Sequence, residues 1–375
     1  MKLRELIHGC ALAGGLLVLL PLYAPAQTPH GFDDVVQQTT SARERDDVPQ
    51  AIALYQQALQ RKPSWPDGWW FLGSLQYEAG AYGAGRDALS HYLDLVPDAA
   101  PAWALRGLCE FETGDYPQSL ADVQRGLSLG AAKQPQDEMI LRYHEALLLT
   151  RTGNFDGALQ KYASLAHGRV PNPEVLVGIG LAGLRIPLLP SELSADKQDL
   201  YTKAGNAAFL FMSGDEAASE SAFENLFQRY PTTANAHYVY GDLLFPTDPD
   251  QASAEFKREL EIDPSNAAAQ LMVAWDSLLR NDFSSALAYA EKASTEEPAL
   301  PAAQLVLGRA LVETGDLKRG IALLQKESQL EPDNLEIHLA LAKAYSKSSR
   351  KADSRRERLL CLQIEKNRTT QQASR

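Results

Sequence analysis

Apolar residues recur along most of the chain at the three- and four-residue spacing of amphipathic helices. The clearest example is residues 301–332, where Leu311 belongs to one apolar face and Leu324 to a second. Between these faces, Gly315 can take the left-handed conformation that ends a helix, and Asp316 can cap the helix that follows. The pattern predicts two amphipathic helices joined by a tight turn, a unit that cannot bury its apolar faces alone.

The predicted pair of helices repeats with a regular period. Pro63 and Pro97 are 34 residues apart, and Pro264, Pro298 and Pro332 follow one another at the same interval. Because proline cannot continue a helix, each of these residues marks the end of a second helix. No stretch shows the strict alternation of a half-buried strand, so the sequence predicts an all-α protein built from stacked helical pairs.

Residues at fixed offsets within each period carry a resemblance to a known family. One copy places Trp69, Leu72 and Gly73 in its first helix and Pro97 after its second helix. This spacing resembles the tetratricopeptide repeat, whose pattern is W-x2-L-G-x2-Y, then A-x3-F, then P. The resemblance implies a right-handed superhelical solenoid of about eight to nine helix pairs. It implies no particular partner, because function depends on a site and not on a fold.

The phase of the repeat predicts the domain organisation. We expect an N-terminal repeat stack over residues 32–171 and a C-terminal stack with a capping helix over residues 200–368. Between them, residues 172–199 are predicted to form an irregular helix and a proline-containing connector, because a residue that precedes proline avoids the helical conformation. The remaining predicted segments are a signal peptide at 1–26, a disordered lead at 27–31 and a disordered tail at 369–375.

The first residues have the composition of a secretory signal. Lys2 and Arg4 are basic, residues 10–22 are apolar but short for a bilayer span, and small residues end at Ala26. The pattern predicts cleavage after Ala26 and a periplasmic or secreted protein. An uncleaved membrane anchor remains an alternative.

The distribution of charge restricts the class of partner. The formal net charge is −12, yet residues 343–375 have a balance of +7, which leaves about −20 on residues 27–342. An acidic body argues against binding of nucleic acid. We expect contact with a membrane only through an uncleaved N-terminal segment or the basic C-terminal end, although such a charge run is more often a solvated face.

No motif in the sequence predicts catalysis, a cofactor or a metal site. The seven histidines include no pair at the i, i+4 spacing of zinc ligands, and there is no Gly-x-Ser-x-Gly. His237 and His338 occupy the tryptophan position of the repeat, where a packing role is expected. Cys109 and Cys361 stand several repeats apart and are predicted not to form a disulfide. The sequence therefore predicts a protein that is not an enzyme and needs no cofactor.

The remaining candidate for a functional site is a surface that binds a partner. In proteins similar to this one, the first helix of each repeat lines a concave groove, so the residues of that helix that do not pack would face a partner. By phase, the predicted groove residues are Trp70, Tyr77, Phe111, Tyr143, Tyr201, Phe211, Tyr238 and Phe245, followed by the more aliphatic Leu278, Arg309 and Leu339. Some of them could instead pack between repeats, because an error of one position turns a side chain by ~100°.

The expected function is that of a non-catalytic, exported scaffold that binds a segment of a partner protein in this groove. The alternative is a polysaccharide- or envelope-assembly accessory whose aromatic residues stack on sugar rings. The Lys and Asn clamp of the chaperone-binding members of the family is absent, because Trp70 and Ala104 stand at two of its positions.

Overall fold

The computed structural model describes residues 31–166, 172–298 and 300–373. This part of the chain contains nineteen α-helices and no strand, which confirms the all-α class and the helical repeat. The predicted signal peptide and most of the predicted lead lie outside the described residues. The chain divides into two compact units, unit 1 (Met1–Gly205) and unit 2 (Asn206–Arg375). The predicted domain limits at residues 171 and 200 stay a prediction.

Unit 1 is a series of antiparallel helical pairs. Its helices are α1 (Phe32–Glu44), α2 (Val48–Arg61), α3 (Pro66–Glu78), α4 (Tyr82–Leu95), α5 (Ala100–Thr113), α6 (Tyr116–Ser128), α7 (Pro135–Arg151), α8 (Phe155–Ala166), α9 (Pro173–Gly183) and the first part of α10 (Gln198–Met212). From α1 to α9, each helix packs against the next one in sequence, so the apolar stripes are buried between neighbours.

Unit 2 continues the same pattern. After the end of α10 it contains α11 (Glu216–Arg229), α12 (Ala236–Leu244), α13 (Pro249–Ile262), α14 (Ala267–Leu279), α15 (Phe283–Glu296), α16 (Pro301–Thr314), α17 (Leu317–Leu330), α18 (Leu335–Lys347) and α19 (Lys351–Ala373). Helix α19 continues to Ala373, where the sequence predicted a disordered tail from residue 369. Its last turns contain good helix formers, and the hydroxyls of Thr369 and Thr370 donate to carbonyls four residues earlier, at 3.0 and 2.9 Å.

Small residues allow the two helices of each pair to cross closely. Gly308 and Gly320 face each other across α16 and α17, where a Cβ on Gly320 would lie 2.9 Å from the Gly308 carbonyl oxygen. In three other pairs a serine of the second helix donates to the backbone carbonyl of the small residue twelve positions earlier. These bonds join Ser119 to Gly107 at 2.7 Å, Ser219 to Ala207 at 2.9 Å and Ser354 to Ala342 at 2.8 Å. We call this small residue of the first helix the crossing residue.

A second recurrent bond ties each first helix to the loop before it. The residue at the tryptophan position of the repeat donates a side-chain hydrogen to the carbonyl of the proline six residues earlier. The bonds are Trp69 to Pro63, Trp103 to Pro97 and Gln270 to Pro264, each at 2.7 Å, with His338 to Pro332 at 2.9 Å and Gln304 to Pro298 at 3.3 Å. The packing role predicted for His338 is confirmed, since its ring is also buried.

The regular succession of pairs is interrupted after α9. No second helix follows it, and residues 184–197 form a connector with two 3₁₀ turns, Pro190–Glu192 and Ala195–Lys197. The connector is held in place: Leu189 is buried, and its N–H donates to the Glu192 carboxylate at 2.7 Å. Helix α9 then packs directly against the start of α10, because Gly180 and Gly205 present bare backbone to each other.

Candidate partner-binding surface

Seven of the eight predicted groove residues occupy two recurrent positions of the first helices. One position is three residues before the crossing residue of its helix, and the other is four residues after it. Where the serine bond is missing, the residue at the corresponding place in the repeat is taken as the crossing residue. The earlier position holds Trp70, Tyr143 and Tyr238, the later one holds Tyr77, Phe111, Phe211 and Phe245, and Tyr201 lies outside both. Because positions seven apart lie on one face of an α-helix, each first helix presents these residues on a single side.

Their exposure differs. Trp70, Tyr77, Phe111, Tyr143, Phe211 and Phe245 are half-buried, whereas Tyr201 and Tyr238 are buried, with 8% and 5% of their surface exposed. Tyr238 packs against the fully buried ring of Phe256, with ring centroids 5.9 Å apart. The buried pair therefore offers a partner little surface. The half-buried six combine fixed packing with an accessible ring edge or face.

In unit 1 the half-buried rings belong to larger aromatic groups. Phe111 contacts the ring of His144 with centroids 5.1 Å apart, and Tyr143 contacts the same imidazole at 6.0 Å. His144 thus joins Phe111 and Tyr143, which come from helices α5 and α7. Burial lowers the pKa of His144 below its usual value, and its Nδ1 lies 2.8 Å from the Ile140 carbonyl oxygen. This imidazole is therefore a neutral ring at neutral pH.

Two aromatic residues that sequence reasoning missed complete this face. Tyr82 contacts Tyr77 with ring centroids 5.5 Å apart, and Tyr116 contacts Phe111 at 5.9 Å, both edge to face. Each missed tyrosine is the first residue of a second helix and follows its partner by five positions. That repeated five-residue spacing is a signal in the sequence by which both could have been found.

The surface of unit 1 is acidic beside these rings. Glu112 is exposed at the end of α5. Burial, and after it the negative charge of Glu112, raise the pKa of the Tyr77 hydroxyl well above its usual value. The same two causes, in the same order, raise the pKa of the Tyr82 hydroxyl. Both phenols are therefore neutral hydrogen-bonding groups that face a carboxylate.

Beneath this face lies a buried polar network that joins α5 to α6. The Arg106 guanidinium donates to both oxygens of Asp122, at 2.5 and 3.1 Å. Burial and then the charge of Asp122 raise the pKa of Glu110 to about 8, although Arg106 acts in the opposite direction. Glu110 is 3% exposed and lies on the side of α5 that faces α6. These bonds hold α5 against α6.

Unit 2 has a surface of different composition, on the first helices α14, α16 and α18. It contains a cavity of about 210 Å³ lined by Leu278, Asn281, Phe283, Arg309, Val312, Glu313, Glu336, Leu339, Ala340 and Lys343. The charges on its rim are paired, with Arg309 to Glu336 at 3.2 Å and Lys343 to Glu313 at 2.6 Å. Leu339 is 45% exposed at this cavity, so an apolar side chain of a partner would find a partly apolar lining.

The described part of the chain offers few other kinds of site. Within residues 31–166, 172–298 and 300–373 no group of three His, Cys, Asp or Glu side chains could hold a metal ion. Over the same ranges no helix has the length and apolar character needed to cross a membrane. Cys109 and Cys361 are each a buried free thiol. Burial raises the pKa of Cys109 to about 12, so this thiol is protonated and unreactive at neutral pH.

Comparison with known proteins gives repeat matches and distant structural likenesses. Family models of the tetratricopeptide repeat match residues 37–100 and 277–327. No curated protein matches the chain. Similar solved structures include MamA from Desulfovibrio magneticus RS-1, at 18% identity over 45% of this chain and 96% of that one, with a TM-score of 0.40.

Two further structures cover more of the chain. A tetratricopeptide repeat protein from Parabacteroides merdae is 15% identical over 75% of this chain and 98% of its own, with a TM-score of 0.32. Yeast Tom70 is 14% identical over 91% and 96%, with a TM-score of 0.29. Likenesses at these scores carry no argument about function. The matched stretches and the recurrent helical pairs together show that this chain has a tetratricopeptide-type fold.

Proposed function

We propose that the protein is a non-catalytic scaffold that binds a segment of a partner protein along the first helices of unit 1. The observation that carries this proposal is the recurrence of half-buried aromatic rings on one side of α3, α5 and α7. Aromatic side chains held by packing are favoured anchors in interfaces, because they bury a large area while few torsions lose freedom. Repeat proteins of this kind use such extended surfaces for binding.

A cross-linking experiment tests this proposal directly. A photo-reactive amino acid placed at position 78, which is exposed at the end of α3, should cross-link a protein from an extract of the source cells. The same amino acid at position 94, exposed on the second helix α4, serves as the matched control. Equal cross-linking from the two positions, or none from position 78, would contradict binding along the first helices.

Unit 2 supplies a second candidate surface, the cavity beside Leu339. We propose that it accepts an apolar side chain of a partner segment, because the charged groups at its rim are already paired with one another. Replacement of Leu339 by aspartate should abolish binding at this surface without loss of helix content, since nearly half of Leu339 is exposed. Unchanged binding by that variant would show that the cavity does not bind the partner.

We also propose that the protein is exported and cleaved after Ala26. The basic residues, the short apolar run and the small residues before Gln27 support this proposal. N-terminal sequencing of the protein recovered from outside the cytoplasm should begin at Gln27. Recovery of the intact chain from Met1 in a membrane fraction would support an anchor instead.

The second candidate function is that of a polysaccharide- or envelope-assembly accessory. It is favoured by the same half-buried rings, because aromatic faces can stack on sugars as well as on side chains. A glycan array probed with the mature protein separates the two candidates. Selective retention of one glycan class, lost in a Trp70→Ala variant, would favour the accessory function.

A further inference from the structure

Two aromatic side chains and one carboxylate lie close together in unit 1. We call this set, Tyr77, Tyr82 and Glu112, the aromatic–acidic slot. Tyr77 and Tyr82 touch edge to face, are half-buried, and pack against the core cluster that contains Cys109 of α5. Glu112 lies three residues after Cys109, on the same side of that helix. Carboxylates and aromatic faces attract the same kind of group, a cation.

We propose that the aromatic–acidic slot binds a lysine or arginine side chain of the partner segment. This inference rests on the proposed function and specifies the chemistry of the group that the surface recognises. The cation would lie over a ring face while its N–H groups donate to the Glu112 carboxylate. The neutral hydroxyls of Tyr77 and Tyr82 can accept further hydrogen bonds from it.

Several other rings of unit 1 carry a cation of this chain. Arg43 lies 3.8 Å from the ring centre of Phe71, Arg106 lies 4.6 Å from that of Trp103, and Arg151 lies 5.0 Å from that of Tyr116. These rings are thus occupied by cations of the protein itself.

The slot differs from those rings. Over the ranges that the structure describes, no lysine or arginine lies over Tyr77 or Tyr82, and none forms an ion pair with Glu112. Arg86, one turn after Tyr82 on α4, is paired with Asp87 at 2.8 Å. The slot therefore has the partners of a cation, while the cation beside it on α4 is bound to another carboxylate.

The charge of the surrounding unit has the same sign as Glu112. Residues 31–166 contain 11 Lys and Arg against 18 Asp and Glu, a formal charge of −7. An acidic surface attracts a basic segment and speeds its encounter, while it repels an acidic segment or a free C-terminal carboxylate. Among peptide side chains, only lysine and arginine use both the rings and the carboxylate at neutral pH.

The test uses two blocked peptides of equal length as probes of the mature full-length protein. One contains two arginines in an alanine and glycine frame. The other has citrulline at the same places, which keeps the shape of arginine and removes its charge. Their affinities are measured by calorimetry at fixed salt for the wild type, for Glu112→Gln and for Asp94→Asn. Asp94 is exposed on α4, outside the slot, so its variant is the control for a loss of one general negative charge.

The arginine peptide should bind at least about tenfold more tightly than the citrulline peptide, because a charge-assisted bond and a cation–π contact are both lost with the charge. Glu112→Gln should weaken its binding by about tenfold, whereas Asp94→Asn should change it less than about twofold. Equal losses in the two variants would mean diffuse attraction and would overturn the slot. So would equal affinity for the two peptides.

The outcomes also separate this inference from the proposed function. If a partner protein cross-links from position 78 and binds the Glu112→Gln variant as tightly as the wild type, the scaffold function stands and the proposed cation site is wrong. Loss of folding does not obscure the result, because Glu112 is exposed at a helix end, and the circular dichroism of each variant can be compared with that of the wild type.

Discussion

The close approach of α9 and α10 makes a sharp prediction about Gly180. A Cβ added to this residue would overlap the carbonyl oxygen of Tyr201 and lie 2.7 Å from its carbonyl carbon. Real Cβ contacts stay above 3.0 Å, and the obstructing atoms are backbone and not the end of a flexible side chain. Gly180→Ala therefore requires the two helices to separate.

The cost can be estimated from that separation. A movement of about 1 Å forfeits up to roughly half of the dispersion attraction across the affected contacts. Overpacking of a core typically costs about 1–3 kcal/mol, and the upper end applies where backbone must move. Alanine gains about 1 kcal/mol over glycine in helix propensity. The expected net loss of stability is therefore about 2 kcal/mol, or about 4–8 °C in the melting temperature of a unit of this size.

Gly83→Ala is the matched control. Gly83 also lies within a helix, α4, but an added Cβ there would meet nothing within 4 Å. Alanine should raise stability at this position by about 0.5 kcal/mol through propensity alone. Thermal unfolding followed by circular dichroism compares the two variants with the wild type. If Gly180→Ala melts at or above the wild-type temperature, as Gly83→Ala should, the backbone contact between α9 and α10 does not exist.

Two further predictions concern groups buried in the repeats. Because the folded state raises the pKa of Glu110 from 4.5 to about 8, the folded protein holds a proton that the unfolded chain releases, and stability should fall as pH rises through this window. Glu110→Gln should abolish this loss of stability and be more stable than the wild type at pH 8 by up to about 4 kcal/mol, with little difference at pH 4. If the urea midpoints of the variant and the wild type change with pH in parallel, Glu110 is not a buried acid. Trp103→Phe removes the hydrogen bond to the Pro97 carbonyl and should lower the stability by about 1 kcal/mol. The same change at Trp70, for which no such bond to a proline carbonyl is seen, should lower it less. Equal melting temperatures of the two variants would show that this bond does not stabilise the fold.

The sequence was sufficient for the repeated architecture, because that architecture depends on local rules. Glycine and aspartate end and begin helices, and Gly315 does adopt the left-handed conformation while Asp316 accepts a hydrogen bond from the Arg319 N–H. Small residues at Gly308 and Gly320 mark the crossing of two helices. Each of these features involves residues close in sequence, so the spacing alone reveals it.

The exposure of the predicted groove residues cannot be predicted from local sequence patterns. By phase, Tyr201 and Phe211 belong to one surface, but the structure buries the first and leaves the second half-buried. Tyr201 lies at the start of α10, where the backbone contact at Gly180 brings α9 against that helix. The sequence contains no signal for that contact beyond two glycines, because it joins helices separated by an irregular connector.

The aromatic–acidic slot depends on still longer-range information. Phe71, Trp103 and Tyr77 are similar residues in a sequence, yet among the described residues an arginine lies over the rings of the first two and not over that of Tyr77. Which ring is covered depends on the direction of arginines on neighbouring helices. A local sequence pattern therefore predicts an aromatic surface. The charge of the group that this surface prefers can be inferred only from the structure.

The central claim is that the half-buried rings of unit 1 bind a partner while the buried residues beside them hold the fold. The most direct measurement compares Tyr77→Ala with Leu72→Ala for melting temperature and for affinity to the protein cross-linked at position 78. Leu72 is 4% exposed and should lose about 2–5 kcal/mol of stability on truncation. Tyr77 is half-buried and should lose less stability, but about 2 kcal/mol or more of binding free energy. If Tyr77→Ala unfolds the protein as readily as Leu72→Ala, Tyr77 is a core residue. If Tyr77→Ala binds the partner as tightly as the wild type, Tyr77 is not an anchor, and the central claim is wrong.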